Sequence, residues 1–256
     1  MSSPLRIAIL ECDEPIGETK KKYGSFGNLF HLLFAAGVIR LQRNSFREGP
    51  EIVESSYECS SGRNYPLLDD IDAVVLTGSR YDSFSNGEEN WILQLVDFVA
   101  NLLHQQTRVK VIGVCFGHQI IGRALGMMPV RNENGWEVAV TEIEMTSKGR
   151  RLFDLPSLAL HQMHRDTLPA CPANVELLGW SERCLVQVMY QKGRLLSMQG
   201  HPQYHRSIAD ELLEHHGPIG HKTLQTSRAI LLGDGWVKVW DVLCKIVCQL
   251  VQEHIL

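Results

Sequence analysis

Residues 111–122 read Val111-Ile112-Gly113-Val114-Cys115-Phe116-Gly117-His118-Gln119-Ile120-Ile121-Gly122. An apolar, β-branched run comes first, then Gly-x-Cys-x-Gly, then apolar residues at helical spacing, so the stretch predicts a strand, a tight turn and a helix start. A nucleophile on such a turn needs glycine two residues before and two after it, because neighbouring backbone comes too close for a Cβ. The helix N-terminus behind Cys115 supplies positive potential, which predicts a lowered thiol pKa and thiolate near neutrality. The backbone N–H of Phe116 is aimed where an oxyanion would develop. Cys115 is therefore the candidate nucleophile.

Outward from this elbow, residues 6–10, 72–76 and 110–114 are short apolar runs, each followed by a turn cluster. Residues 28–36 and 89–103 carry apolar side chains at three-and-four spacing and are read as helices. This βα alternation predicts a mostly parallel sheet flanked by helices. The period changes to two at residues 137–145, and 185–189 and 194–198 continue it around a Lys192-Gly193 turn, which predicts antiparallel strands. Residues 235–253 present one broad apolar face, read as a docked helix. No repeat or linker interrupts the chain, so one domain over residues 1–256 is expected.

Composition narrows the function. Hydrophobic residues make up 44% and charged residues 21%, the balance of a globular chain with a sizeable core. The formal net charge is −4 and no long stretch concentrates Lys and Arg, the short Lys20-Lys21-Lys22 run reading as a solvated loop, which argues against a nucleic-acid partner. No apolar run reaches the roughly 18 residues of a membrane span or the core of a signal peptide, so a cytoplasmic protein is expected. The seven cysteines, at 12, 59, 115, 171, 184, 244 and 248, are odd in number and form no Cys-x-x-Cys pair, which argues for reduced thiols. Several histidines stand near one another, but no acidic partner recurs at ligand spacing, and neither metal nor cofactor is expected.

A cysteine nucleophile needs a base. Of the eleven histidines, His201 is the candidate, because it follows an apolar strand on a Gly200-His201-Pro202 turn that fixes the backbone on both sides. Gln203, two residues on, is placed to accept from the ring N–H that faces away from the thiol. His164 and Asp166 border the expected pocket; as loop residues before Leu168-Pro169 they read equally well as a turn and helix cap.

Gly113-x-Cys115-x-Gly117-x-Gln119 followed by Gly200-His201-Pro202 resembles the class I glutamine amidotransferases, whose triad is Cys, His and Glu. Leu76-Thr77-Gly78-Ser79 resembles the strand-end turn whose backbone N–H completes their oxyanion hole. Tyr23-Gly24-Ser25-Phe26-Gly27, Tyr81-Asp82 with Trp91-Ile92, and Met163-His164-Arg165-Asp166 resemble the γ-glutamyl peptidase branch of that family and its fungal relatives. The resemblance covers about residues 5–205 and leaves 206–256 as a helical extension. It implies an α/β, flavodoxin-like domain with a mostly parallel central sheet, a small antiparallel sheet and a C-terminal helix. It also implies a cysteine-dependent hydrolase or transferase acting on a γ-glutamyl amide, either glutamine or a glutathione-like conjugate. Cys115 and His201 would carry the chemistry, Gly78, Ser79 and Phe116 the oxyanion turn, and Gln119 and His164 the substrate. A synthase or other biosynthetic partner protein is a further possibility that the family raises.

One residue departs from the pattern. Gln203 stands where the family motif has Glu, and an amide supplies an acceptor but no negative charge behind the imidazole. A non-catalytic or repurposed binding subunit is the alternative that this substitution supports.

Overall fold

The computed structural model describes residues 3–45, 51–62, 64–86 and 90–215. The helix expected at 235–253 lies outside the described residues. In chain order the strands are β1 (Leu5–Glu11), β2 (Ile52–Glu58), β3 (Ala73–Leu76), β4 (Lys110–Val114), β5 (Val130–Arg131), β6 (Glu137–Met145), β7 (Ser157–His164), β8 (Asp166–Thr167), β9 (Glu176–Trp180), β10 (Val188–Gln191) and β11 (Leu195–Met198). The helices are α1 (Gly17–Tyr23), α2 (Phe26–Ser45), α3 (Asn90–Gln105), α4 (Phe116–Ala124), α5 (Ser147–Phe153) and α6 (Arg206–His215).

Nine strands form one sheet in the order β2-β1-β3-β4-β11-β10-β9-β6-β7, and β5 pairs with β8 in a small antiparallel sheet. From β2 to β11 the pairing is parallel; from β10 outward it is antiparallel. The continuous apolar runs follow from burial on both faces. Ile7 and Ile9 of β1 point to one side, against Phe30, Leu33 and Phe34 of α2. Ala8 and Leu10 point to the other, against Ile92, Leu95 and Val99 of α3 and Ile120 and Ile121 of α4. Each such side chain contributes about 1.5–3 kcal/mol when fully buried. Strands covered on both faces have no polar alternation to show, and this is why residues 6–10 and 110–114 read as plain apolar runs.

The structure departs from the sequence expectation where backbone pairing rather than side-chain pattern makes the strand. β2 contains Glu54, Ser55 and Ser56, yet pairs with β1 along seven register positions as the edge of the sheet. β10 starts at Val188 rather than 185, because the preceding backbone is held by side chains: the Val186 carbonyl accepts from His118 Nε2 at 3.0 Å. The Lys192-Gly193 turn is present, with Gly193 at φ 65° and the Arg194 N–H donating to the Gln191 carbonyl at 2.9 Å. Among the described residues no helix is long and apolar enough to cross a membrane.

Candidate active site

The C-terminal ends of β3, β4 and β11 meet at Cys115. The thiol-bearing residue caps α4 in a left-handed conformation, φ 54° and ψ −107°, which few L-residues adopt without strain. Its backbone N–H donates to the Met198 carbonyl of β11 at 2.9 Å, and the Gly117 N–H donates to the Thr77 carbonyl at 3.2 Å. A Cβ on Gly117 would lie 2.5 Å from the Leu76 carbonyl oxygen, and one on Gly113 would lie 2.7 Å from the Gly117 carbonyl oxygen. Both glycines are therefore steric requirements of the turn.

Gly78, just past β3, marks where the candidate groups converge. A Cβ there would sit 3.0 Å from His201 Cε1 and 3.7 Å from Cys115 Cβ. His201 is tied to β7 by donating its backbone N–H to the His161 carbonyl at 2.7 Å, and its ring stacks on Tyr204 with centroids 4.1 Å apart and planes 2° from parallel. Gln203 Nε2 lies 3.2 Å from His201 Nδ1, while Gln203 Oε1 is buried without a hydrogen-bond partner. A cavity of about 220 Å³ opens over these groups, lined by Ser79, Cys115, Gln119, His164, His201 and Tyr204. It is several times the roughly 30 Å³ that a water molecule occupies in the liquid.

Electrostatics at the elbow differ from the sequence expectation. Burial pushes the Cys115 thiol up to about 12, outweighing the Phe116 N–H and the Gln199 amide, which pull it down. Burial lowers His201 to about 3, with the neighbouring His164 and His161 acting in the same direction. The helix N-terminus is present but desolvation wins, so the resting pair is neutral thiol and neutral imidazole. In this resting arrangement the Phe116 N–H contacts the sulfur itself, whereas the sequence reading aimed it at a developing oxyanion.

The family model of class I glutamine amidotransferases matches residues 51–216. The chain belongs to that family. It is 32% identical over 212 residues to a glutamine amidotransferase-like protein of Schizosaccharomyces pombe, covering 81% of this chain and 83% of that one. It is 30% identical over 236 residues to γ-glutamyl peptidase 4 of Arabidopsis thaliana, covering 88% of each. The fold matches a glutamine amidotransferase from Thermotoga maritima with a TM-score of 0.70 at 17% identity, covering 99% of both chains.

Within this amidotransferase frame, Gln119 and His164 sit on the cavity wall, but their polar atoms are already engaged. Gln119 Nε2 donates to the Asp166 carbonyl at 2.9 Å and to Gln199 Oε1 at 3.0 Å, and its Oε1 accepts from Ser83 Oγ at 2.7 Å. Gln119 thus ties α4 to β8 and to the segments that carry Ser83 and Gln199. His164 Nδ1 faces the Asp166 carbonyl at 3.0 Å and Nε2 faces Glu137 Oε2 at 2.9 Å. Both ring nitrogens of His164 are thus occupied by partners within the protein. Glu137, His164 and Cys184 offer donor atoms within 4.8 Å of one another. Glu137 also accepts from Gln187 and Ser181, at 3.0 and 2.7 Å, so these groups satisfy one another as a hydrogen-bond network.

Sequence reasoning missed Tyr204 and Asp13, which line the cavity, and Gln199, whose amide contacts the Cys115 thiol. Gln199 follows β11 in the same Gln-Gly-His-Pro run as His201, and Tyr204 lies three residues past His201, so their proximity was in reach of local spacing. Asp13 was not: it holds Arg80 through contacts of 2.9 and 2.7 Å across 67 residues.

Burial of histidines sets an acid limit on the fold. His118, His161 and His201 are each lowered to about 3 by burial. A lowered histidine contributes stability that is present above its unfolded pKa of roughly 6.5 and is lost as pH falls towards the folded value. With three such groups, unfolding free energy is expected to drop by up to about 4 kcal/mol per pH unit between pH 6 and 4. Denaturant titrations at pH 7, 6 and 5 measure the slope, and a stability flat over that range would contradict buried neutral imidazoles.

Proposed function

We propose that the protein is a cysteine-dependent hydrolase that cleaves γ-glutamyl amides, with γ-glutamyl peptides or thiol conjugates preferred over free glutamine, acting in the cytoplasm. The observation that carries this reading is the convergence of Cys115, His201, the Gly78 turn and the Phe116 N–H, with Cys115 and His201 lining the cavity. Cys115 Sγ attacks the γ-carbonyl as its proton passes to His201; because the resting pair is neutral, attack and proton transfer are coupled. The Gly78 and Phe116 N–H groups hold the oxyanion. His201 then gives its proton to the departing amine, leaving a γ-glutamyl thioester. Water, deprotonated by His201, releases glutamate and restores the thiol.

The cavity lining combines charged side chains, among them Arg80, Arg131 and Asp166, which suit an α-amino acid, with the apolar Ile16, Phe26, Ile208 and Leu212. Such an apolar lining binds a leaving group larger than ammonia, and that binding lowers the barrier when it is realised in the transition state. The expected order of kcat/KM on the purified protein is S-substituted glutathione, then glutathione, then glutamine, with about tenfold between the ends of the series. Glutamine preferred by tenfold would overturn the peptidase assignment.

Gln203 supports the rival reading, a γ-glutamyl-binding subunit with little or no turnover, because it adds no charge behind His201. Half a turn of its amide exchanges oxygen for nitrogen. Oε1 then accepts from Nδ1–H and leaves His201 Nε2 as the basic atom. Gln203→Glu is expected to match or exceed the native rate by up to about tenfold and to move the acidic limb of kcat/KM upward, since a carboxylate stabilises the imidazolium. Gln203→Ala is expected to lose about tenfold or more, and an Ala variant as fast as the native enzyme would remove Gln203 from the mechanism.

A further inference from the structure

Two buried thiols that this chemistry does not use stand side by side at the end of the sheet. Cys12 follows β1 and Cys59 follows β2, and these parallel strands pair Glu11 with Glu58. Cys12 and Cys59 are thus the next partners in register, and the Cys59 N–H donates to the Glu11 carbonyl at 3.0 Å. Neighbouring strands lie about 4.8 Å apart, inside the roughly 4.4–6.8 Å Cα separation that a disulfide spans. Both thiols are 0% exposed in one apolar cluster, within hydrogen-bonding reach of each other, and both are reduced. The nearby Tyr65 hydroxyl is close enough to feel both thiols and is buried without a hydrogen-bond partner.

The pair is joined to the elbow through the backbone. Cys12 N–H donates to Thr77 Oγ1 at 2.9 Å, the Thr77 carbonyl accepts from Gly117, and Gly78 follows directly. The next residue after Cys12 is Asp13, which holds Arg80 on the cavity wall. A shift of Cys12 therefore reaches two sides of the site.

We propose that Cys12 and Cys59 form a second, redox-active thiol site, closed to an intrachain disulfide by small-molecule disulfides, and that closure lowers activity at Cys115. The second half rests on the hydrolase reading above; the first does not. Cys59 reacts first, because it opens a turn whose next residues, Ser60 and Ser61, are exposed and because β2 is an edge strand, where local opening costs least. Its thiolate attacks one sulfur of the reagent disulfide, breaking that S–S bond, and one thiol leaves with a proton. Cys12 then attacks the Cys59 sulfur of the mixed disulfide and displaces the second thiol. Two electrons and two protons pass from the protein dithiol to the reagent. Closure brings the sulfurs to about 2.05 Å and shifts Cys12 by on the order of 1 Å, a displacement that costs about 10²-fold where positioning matters.

The test uses hydroxyethyl disulfide on the full-length protein. In a Cys115→Ser background, peptide mapping after alkylation is expected to yield a Cys12–Cys59 cross-linked peptide, absent from Cys12→Ala and Cys59→Ala. Mixed disulfides alone, or no modification, would overturn the site. With Cys115 intact, hydrolysis of a γ-glutamyl substrate is expected to fall at least tenfold and to return on reduction, whereas Cys12→Ala and Cys59→Ala resist. Equal losses in those variants would overturn the coupling. The alkylation rate of Cys115, compared between oxidised and reduced protein, reads the same coupling without any substrate, so a hydrolase reading that fails is distinguishable from a thiol pair that does not close.

Discussion

Replacing Cys115 by alanine is expected to abolish hydrolysis of γ-glutamyl amides, lowering kcat by about 10⁴-fold or more. The loss is that large because covalent attack has no substitute: the oxyanion N–H groups and His201 remain, but without sulfur they can only assist direct attack by water. The fold is expected to persist. Cys115 contributes one small buried side chain, its backbone bonds to Met198 and Gln119 do not involve sulfur, and alanine removes only weak thiol contacts: 3.9 Å from Sγ to the Met163 carbonyl, and those with the Phe116 N–H and the Gln199 amide. A melting temperature within a few degrees of the native protein together with lost turnover is the predicted pair of results. Residual activity within tenfold would show that another group, or water alone, does the work.

The second large effect is structural. Gly117→Ala places a methyl 2.5 Å from the Leu76 carbonyl oxygen and 2.6 Å from Leu76 Cβ, and neither can move freely because Leu76 lies in β3, held between β1 and β4. Either α4 lifts from the sheet or β3 shifts, and both disturb the turn that carries Cys115. A destabilisation of about 3 kcal/mol or more is expected, which for a chain of this size lowers the melting temperature by roughly 6–12 °C. Activity is expected to fall even at temperatures where the variant is folded, since the Gly117 N–H to Thr77 carbonyl bond holds α4 against the Gly78 turn. A variant with native stability and native turnover would mean that the elbow is looser than the structure shows.

These two substitutions mark what could be read directly from the chain. The elbow was legible because a tight strand-to-helix turn has few solutions and all of them leave glycines in sequence. The parallel half of the sheet was legible because strands buried on both faces must be apolar throughout. β7 and β9 were not, since half-buried antiparallel strands such as Ser157–His164 and Glu176–Trp180 mix polar and apolar residues and take their place from the neighbours they pair with. Within the candidate site, Cys115 and His201 stood out in the sequence because each sits on a conformationally restricted turn, and the fold brings the two together. The engaged state of Gln119 was out of reach, as its partners lie 36, 47 and 80 residues away. The thiol pKa was misjudged for a related reason: the helix terminus is a local feature visible in sequence, whereas burial is the summed effect of residues from the whole chain.

The neutral resting pair also shapes what the intermediate should look like. If the thiolate forms only as the carbonyl arrives, the free protein should alkylate slowly at Cys115 near neutrality and faster as pH rises, while substrate is still attacked efficiently. The most direct measurement of the account is therefore the intermediate itself. Protein mixed with a γ-glutamyl substrate, quenched in acid within the first turnover and digested, is predicted to carry one γ-glutamyl group on the peptide that contains Cys115, lost again on the timescale of turnover. Glutamate released with no acyl group on Cys115 at any time point, or an acyl group that forms equally in Cys115→Ala, would contradict it.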